Sequence, residues 1–134
     1  MLDLTTPAGA RADQRLRAEL IVWITTVRAD GQPQSSPVWF RWDGATFLIY
    51  SQPATQKVGN LRANSRVSLH LDGDGRGGDV VTVEGTAELG PAEPSADYLE
   101  KYRAAILRIG YTPESFLRSF SVAISVTPSR ARAW

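Results

Sequence analysis

"ELIVWITTVRADGQPQSSPVWFRWDGATFLIYS", residues 19–51, carries the pattern on which the fold turns. Three apolar runs, at about residues 20–28, 34–42 and 45–51, are rich in β-branched and aromatic side chains. They are separated only by "ADGQP" and by Asp43–Gly44, which have the composition of tight hairpin connections. The spacing predicts three antiparallel strands in a meander. Downstream, "SRVSLHLD" sets Val67, Leu69 and Leu71 against Ser68, His70 and Asp72. "VVTVEGTAEL" sets Val81, Val83, Gly85, Ala87 and Leu89 against Val80, Thr82, Glu84, Thr86 and Glu88. Both alternate with the period of two that a half-buried strand requires. A last strand is read in "VAISVTPSRARAW", which Pro128 interrupts or confines to an edge.

Between and around these strands the period becomes helical. "ADQRLRAEL" places Leu16 and Leu20 one turn apart, with Asp13 as the expected N-cap. "EPSADYLEKYRAAILRIG" aligns Tyr98, Tyr102, Ile106 and Ile109 on one stripe and ends at Gly110, a suitable C-cap. "TPESFLRSF" opens with threonine and then proline at the first helical position. Six strands with inserted helices, and no strand–helix–strand alternation, predict a mainly β chain: a small antiparallel barrel with peripheral helices. No repeat or linker divides residues 1–134, which are read as one domain with residues 1–12 as a flexible N-terminal arm.

Composition narrows the function. A net charge of +1 across 134 residues gives no bulk basic face for nucleic acid, so any anion site is local. The absence of cysteine excludes disulfides, thiolate catalysis and zinc–cysteine sites. No apolar run approaches a membrane span, and the N-terminus lacks the basic-then-apolar order of a signal peptide, so the protein is read as cytoplasmic.

Several motifs fail on chemistry. Gly73, Gly75 and Gly78 match the letter of a dinucleotide fingerprint, but a strand follows where that motif needs a helix. Asp72 and Asp74 begin like a calcium loop, yet Arg76 and Val83 stand where ligands are required. Ser35 and Ser36 have only His70 as a potential base, and His70 sits in a strand. One histidine and scattered carboxylates make no metal site.

What remains is "YSQPATQKVGNLRANSRVSLHL", residues 50–71, where a polar segment interrupts two strands. A short helix is expected from about Pro53 to Ala63, with Val58 and Leu61 facing the barrel and Lys57 and Asn60 facing the preceding strand end. Ser51, Thr55, Gln56, Lys57 and Asn60 would then supply hydroxyl, amide and ammonium donors of the kind a phosphate takes. Spacing alone leaves a solvated helix face with its own cap open as well.

The ordered set "TTVRADGQPQSSPVWFRWDGATFLIYS", "TQKVGNLRANSRVSLHLDG" and "VTVEGTAEL" resembles the pyridoxamine 5′-phosphate oxidase-like flavoprotein superfamily from about residue 15 to Trp134. Within it the chain looks most like the small coenzyme F420-dependent type. The resemblance implies a six-stranded split β-barrel of the FMN-binding type, acting as a homodimer with a cofactor cleft between its subunits. It implies an oxidoreductase that passes hydride from a reduced deazaflavin to a small organic acceptor. The alternatives are an FMN enzyme of the same fold, or a non-catalytic binder of flavin, deazaflavin or haem. By the same resemblance, Gln34, Ser36, Pro37, Val38 and Trp39 lie along the tricyclic ring. Lys57 takes the phosphate, with Ser51, Thr55, Gln56 and Asn60 as supporting donors and Trp134 reaching the cleft from the neighbouring subunit. Tyr50 and Tyr111 are expected on the substrate side, and Arg62, Arg66, Arg130 and Arg132 near any acidic tail. Relatives often carry arginine two residues before the lysine, where this chain has Thr55. No catalytic acid or base is implied, since hydride chemistry belongs to the cofactor.

Overall fold

The computed structural model describes residues 2–134. Its elements run α1 (Pro7–Ala18), β1 (Val22–Val27), β2 (Pro33–Val38), β3 (Arg41–Trp42), β4 (Phe47–Ser51), α2 (Gln56–Ala63) and β5 (Arg66–His70). They continue with β6 (Val81–Pro91), α3 (Ala96–Lys101), α4 (Arg103–Arg108), α5 (Pro113–Ser119) and β7 (Val122–Ala133). All strands pair antiparallel in one sheet of order β2-β1-β5-β6-β7-β4-β3. The two edge strands, β2 and β3, are consecutive in the chain and joined only by Trp39 and Phe40, so the sheet curls until its ends approach. The result is a split barrel.

Seven strands appear where six were expected, because the run 34–42 is broken at Trp39–Phe40. Phe40 is fully buried, and its backbone is satisfied by side chains rather than by a neighbouring strand. Its N–H donates to Tyr102 Oη at 2.9 Å, and its carbonyl accepts from Lys101 Nζ at 2.9 Å. With both groups taken, the ladder cannot continue, and the chain passes from one sheet edge to the other.

Alternation placed the core correctly. Val22, Ile24, Val67, Leu69, Val81, Val83 and Ala87 fill the barrel together with Phe40, Phe47 and Ile49. Strand β4 is buried on both faces, because Leu48 and Tyr50 point outward beneath α3–α5 and join Tyr98, Tyr102, Ile106 and Phe116 in a second core. Two cores on opposite faces of one strand hold the helices against the barrel.

Four local expectations change. Helix α1 starts at Pro7, capped by Thr6 Oγ1 accepting from Gly9 N at 3.1 Å, and buries Ala12, so residues 7–12 are not a flexible arm. Asp13 is therefore mid-helix, where it accepts from Trp42 Nε1 and Arg17 Nε instead of capping. The helix predicted within residues 93–110 breaks at Tyr102 (φ −109°, ψ 11°), and Ile109 turns to solvent, although Tyr98, Tyr102 and Ile106 are buried as the stripe requires. Strand β7 is not interrupted at Pro128; its pairing with β4 ends at Val126, so Pro128 lies where β7 pairs with β6 alone, beside a bulge opposite Glu84–Gly85.

That bulge dictates glycine at position 85. A Cβ there would lie 2.5 Å from the Thr127 carbonyl oxygen, a backbone atom that cannot swing away. Gly85→Ala is expected to cost about 2–3 kcal/mol, in the range of overpacked core sites. A urea melt read by circular dichroism should show an earlier midpoint with an unchanged slope.

Candidate functional site

The break between β2 and β3 opens one side of a cleft of about 360 Å³, closed by the β4–α2 turn and by α3–α5. Its lining is largely apolar and aromatic: Pro37, Val38, Trp39, Tyr98, Phe116 and Phe120, with Ile21 and Ile109. The Trp39 ring stacks on Tyr102 at 4.8 Å with planes 6° apart, and Phe116 stacks on Phe120 at 4.5 Å. Stacking of this kind fixes flat surfaces, which suits a planar ligand.

Its polar lining is Ser51, Gln52, Thr55 and Lys57. Helix α2 starts at Gln56, later than the expected Pro53. The reason is that Thr55 holds an extended N-cap conformation (φ −79°, ψ 154°) after the Pro53–Ala54 turn. Unlike Thr6, Ser95 and Thr112, Thr55 does not cap its helix with its side chain. Its Oγ1 pairs with Ser51 Oγ at 3.0 Å and approaches the Gln52 carbonyl at 3.4 Å. The first turn of α2 thus faces the cleft without a side-chain cap, as helix N-termini do where anions bind.

Lys57 stands at the end of this polar wall, half-buried and without a carboxylate or carbonyl partner among the described residues. Burial alone pushes its ammonium below the usual lysine value. It also lines a second hollow of about 230 Å³, bounded by Thr26, Gln34, Ser35, Ser36 and Gln56. Lys57 is the one charged side chain, among the described residues, that lines either space.

Asn60 lies behind both hollows. Its amide donates to Thr26 Oγ1 at 2.9 Å and to Gln34 Oε1 at 3.0 Å, while its carbonyl oxygen accepts from Gln56 Nε2 at 2.9 Å. Both of its amide hydrogens are used. The expectation that Asn60 faces the cleft as a donor is corrected on this ground: Asn60 ties α2 to β1 and β2 and so positions Lys57. Thr26, the polar member of the inward row Val22–Ile24–Thr26, is the partner this network needed.

Of the expected site residues, Pro37, Val38, Trp39, Ser51, Thr55 and Lys57 meet in the cleft, whereas Gln34, Ser36, Gln56 and Lys57 meet in the second hollow. Trp134 does not reach either within its own chain. It is 60% exposed, and its backbone pairs with Val80 beside α1. Tyr50 lines the cleft, while Tyr111 backs it by packing edge-on against Phe116 and Phe120. Arg62, Arg66, Arg130 and Arg132 line neither space. Phe116 and Phe120 were not foreseen, although their spacing in "SFLRSF" gives one helical face.

Residues 9–134 match the family model described as pyridoxamine 5′-phosphate oxidase. Among solved structures, an F420 reductase superposes with a TM-score of 0.71 at 27% identity, covering 90% of this chain and 94% of its own. A conserved hypothetical protein from Mycobacterium tuberculosis gives 0.73 at 25% identity, covering 93% and 82%. The haem storage protein HutZ from Vibrio cholerae gives 0.64 at 14% identity, covering 92% and 90%, a likeness of fold alone.

Proposed function

The chain belongs to the pyridoxamine 5′-phosphate oxidase-like split-barrel family, and on that premise we propose that it is an F420-dependent reductase acting on a small organic acceptor. The observation that carries this reading is the pairing of a cleft lined by aromatic side chains with one half-buried lysine that has no partner among the described residues. A planar ring and a phosphate are what those two features accept. The 27% identity to an F420 reductase supports the deazaflavin over FMN. The one histidine stacks on Trp23 instead of lining the cleft, which leaves the cleft without the ligand haem iron commonly takes.

When bound in its reduced form, such a ring supplies hydride. The chain's own residues do the rest. Pro37, Val38 and Trp39 bear on the ring, with Pro37 adding no N–H to be satisfied. Lys57 holds the phosphate with Ser51 and Thr55. Phe116, Phe120 and Ile109 exclude water and orient the acceptor. Tyr50 and Tyr98, whose phenols burial pushes above the usual tyrosine value, stay neutral. The cleft is exposed at Pro37 and Gln52, and we place its second wall in another copy of the chain, in a cytoplasmic homodimer of single-domain protomers.

Titration with F420 and with FMN, followed by ring fluorescence, tests the reading, with subsequent mixing of the reduced deazaflavin with quinone and tetrapyrrole acceptors. Tighter binding of F420 and oxidation of its reduced form are expected. Tighter binding of FMN, with no acceptor oxidising the reduced deazaflavin, would overturn it.

A further inference from the structure

We propose that the Tyr98 hydroxyl recognises the hydride acceptor by donating a hydrogen bond to the oxygen on which negative charge collects, and that it thereby selects acceptors whose carbonyl is conjugated with a carbon–carbon double bond. The proposal rests on the reading of the cleft as the seat of a hydride-donating ring.

Four hydroxyls line the cleft, those of Tyr50, Ser51, Thr55 and Tyr98. Three are already engaged. Tyr50 donates to the Glu93 carbonyl, Ser51 donates to the Gln52 carbonyl at 2.9 Å, and Thr55 pairs with Ser51 or with that same carbonyl. The Tyr98 proton has no acceptor among the described residues. The Tyr50 backbone acts on the Tyr98 oxygen as a donor does, which engages a lone pair and leaves the O–H unused.

Tyr98 is only 1% exposed, so the place of that hydroxyl can be deduced. Among the described residues no fully enclosed side-chain oxygen or nitrogen lacks a hydrogen-bond partner. A hydroxyl without one is therefore not enclosed, and the space that Tyr98 lines is the cleft. The ring behind it is held edge-on by Tyr50 at 4.5 Å and packed by Tyr102 at 4.9 Å and Phe116 at 6.3 Å. A fixed donor that opens on an apolar cleft is a cost that a bound oxygen relieves.

The same burial settles what the hydroxyl does. Burial, reinforced by the Tyr102 and Tyr50 phenols, pushes Tyr98 above the usual tyrosine value. It keeps its proton and stabilises charge instead of transferring a proton. When hydride reaches a conjugated carbonyl compound, a C–H bond forms at the alkene carbon far from the oxygen. The alkene electron pair shifts toward the carbonyl, and negative charge gathers on the oxygen that faces Tyr98. Water supplies the proton that completes the reduction at the carbon beside the carbonyl. The acceptor gains the two electrons that the reduced deazaflavin loses.

Tyr98→Phe removes the hydroxyl and keeps the ring, and it should melt within about 2 °C of wild type because no internal bond is lost. Calorimetric titration of the free protein with 1-tetralone and with tetralin, the same bicycle without the carbonyl, reads the donor alone. Tyr98→Phe should weaken the ketone about fivefold and leave the hydrocarbon unchanged. Stopped-flow mixing then compares two acceptors of reduced deazaflavin on the loaded protein: 2-cyclohexen-1-one, and N-methylacridinium, which takes hydride on carbon and offers no hydrogen-bond acceptor. Tyr98→Phe should slow the enone about tenfold or more, and leave both the acridinium rate and the deazaflavin affinity within about twofold. The proposal is overturned, with the reading of the cleft intact, by an unchanged ketone affinity, by equal slowing of the two acceptors, by an enone rate that is unchanged or is absent in wild type, or by a deazaflavin affinity that falls with the hydroxyl. A wild type that binds no deazaflavin overturns both.

Discussion

Lys57→Ala is expected to weaken binding of the phosphorylated deazaflavin that the proposed function calls for by about two orders of magnitude, and to leave the fold at least as stable as before. The expected loss of affinity follows from removing the one cation that, among the described residues, lines the cleft or the second hollow, since a charge-assisted contact truncated in a half-buried place costs about 2–4 kcal/mol. The stability follows from the opposite balance in the empty protein. Lys57 has no partner to offset its desolvation, so its removal relieves a cost. The sign is visible in pH. Because folding lowers the ammonium pKa below its ordinary 10.5, the unfolded chain holds that proton more tightly. The lysine's cost is therefore full at neutral pH and is relieved as pH rises from the lowered value toward 10.5. Fluorescence titration and calorimetry at pH 7 and pH 10 read both effects. An unchanged affinity, or a fall in Tm at pH 7, would contradict this account.

Tyr102→Phe should do the reverse, costing about 2–3 kcal/mol of stability and lowering Tm by about 8–10 °C, with only a few-fold loss of affinity. The Tyr102 hydroxyl accepts the buried Phe40 N–H at 2.9 Å and lies 2.8 Å from the Leu20 carbonyl and 3.1 Å from that of Phe40. Phenylalanine keeps the stacking on Trp39 but strands the Phe40 N–H, while Lys101 still serves the Phe40 carbonyl. The buried Phe40 N–H, a donor left without an acceptor, is what makes the substitution expensive. Chemical denaturation read by circular dichroism, beside ligand titration, separates this behaviour from that of Lys57→Ala. A Tm within 2 °C of wild type would show that water replaces the hydroxyl.

These variants also mark how far the sequence could be read. That Ser51, Thr55 and Lys57 would gather in one place was legible because a proline, a run of donors and a helical period fall within ten residues, and they line one cleft. Asn60 was misjudged for a tertiary reason. From the helix alone it shares a face with Lys57, and only the arrival of Thr26 and Gln34 from β1 and β2 turns its amide inward. Phe116 and Phe120 were not singled out from the sequence, because one helical face in a short segment does not show which side of it is covered. Phe116 is buried in the second core while it also lines the cleft.

The barrel itself came from local rules. Alternation of side chains chose which faces are buried, and Gly44 (φ +93°) and Gly31 (φ +88°) made the hairpin turns that their neighbours' sequence announces. Where the sheet splits did not come from such rules. Residues 34–42 form one unbroken β-like run in sequence. They become two strands because Tyr102 and Lys101, some sixty positions away, take the backbone groups of Phe40. Period and turn chemistry act between neighbours and are written in the chain. The satisfaction of a buried N–H depends on which distant side chain arrives, and that alone decides where this barrel opens and the cleft forms.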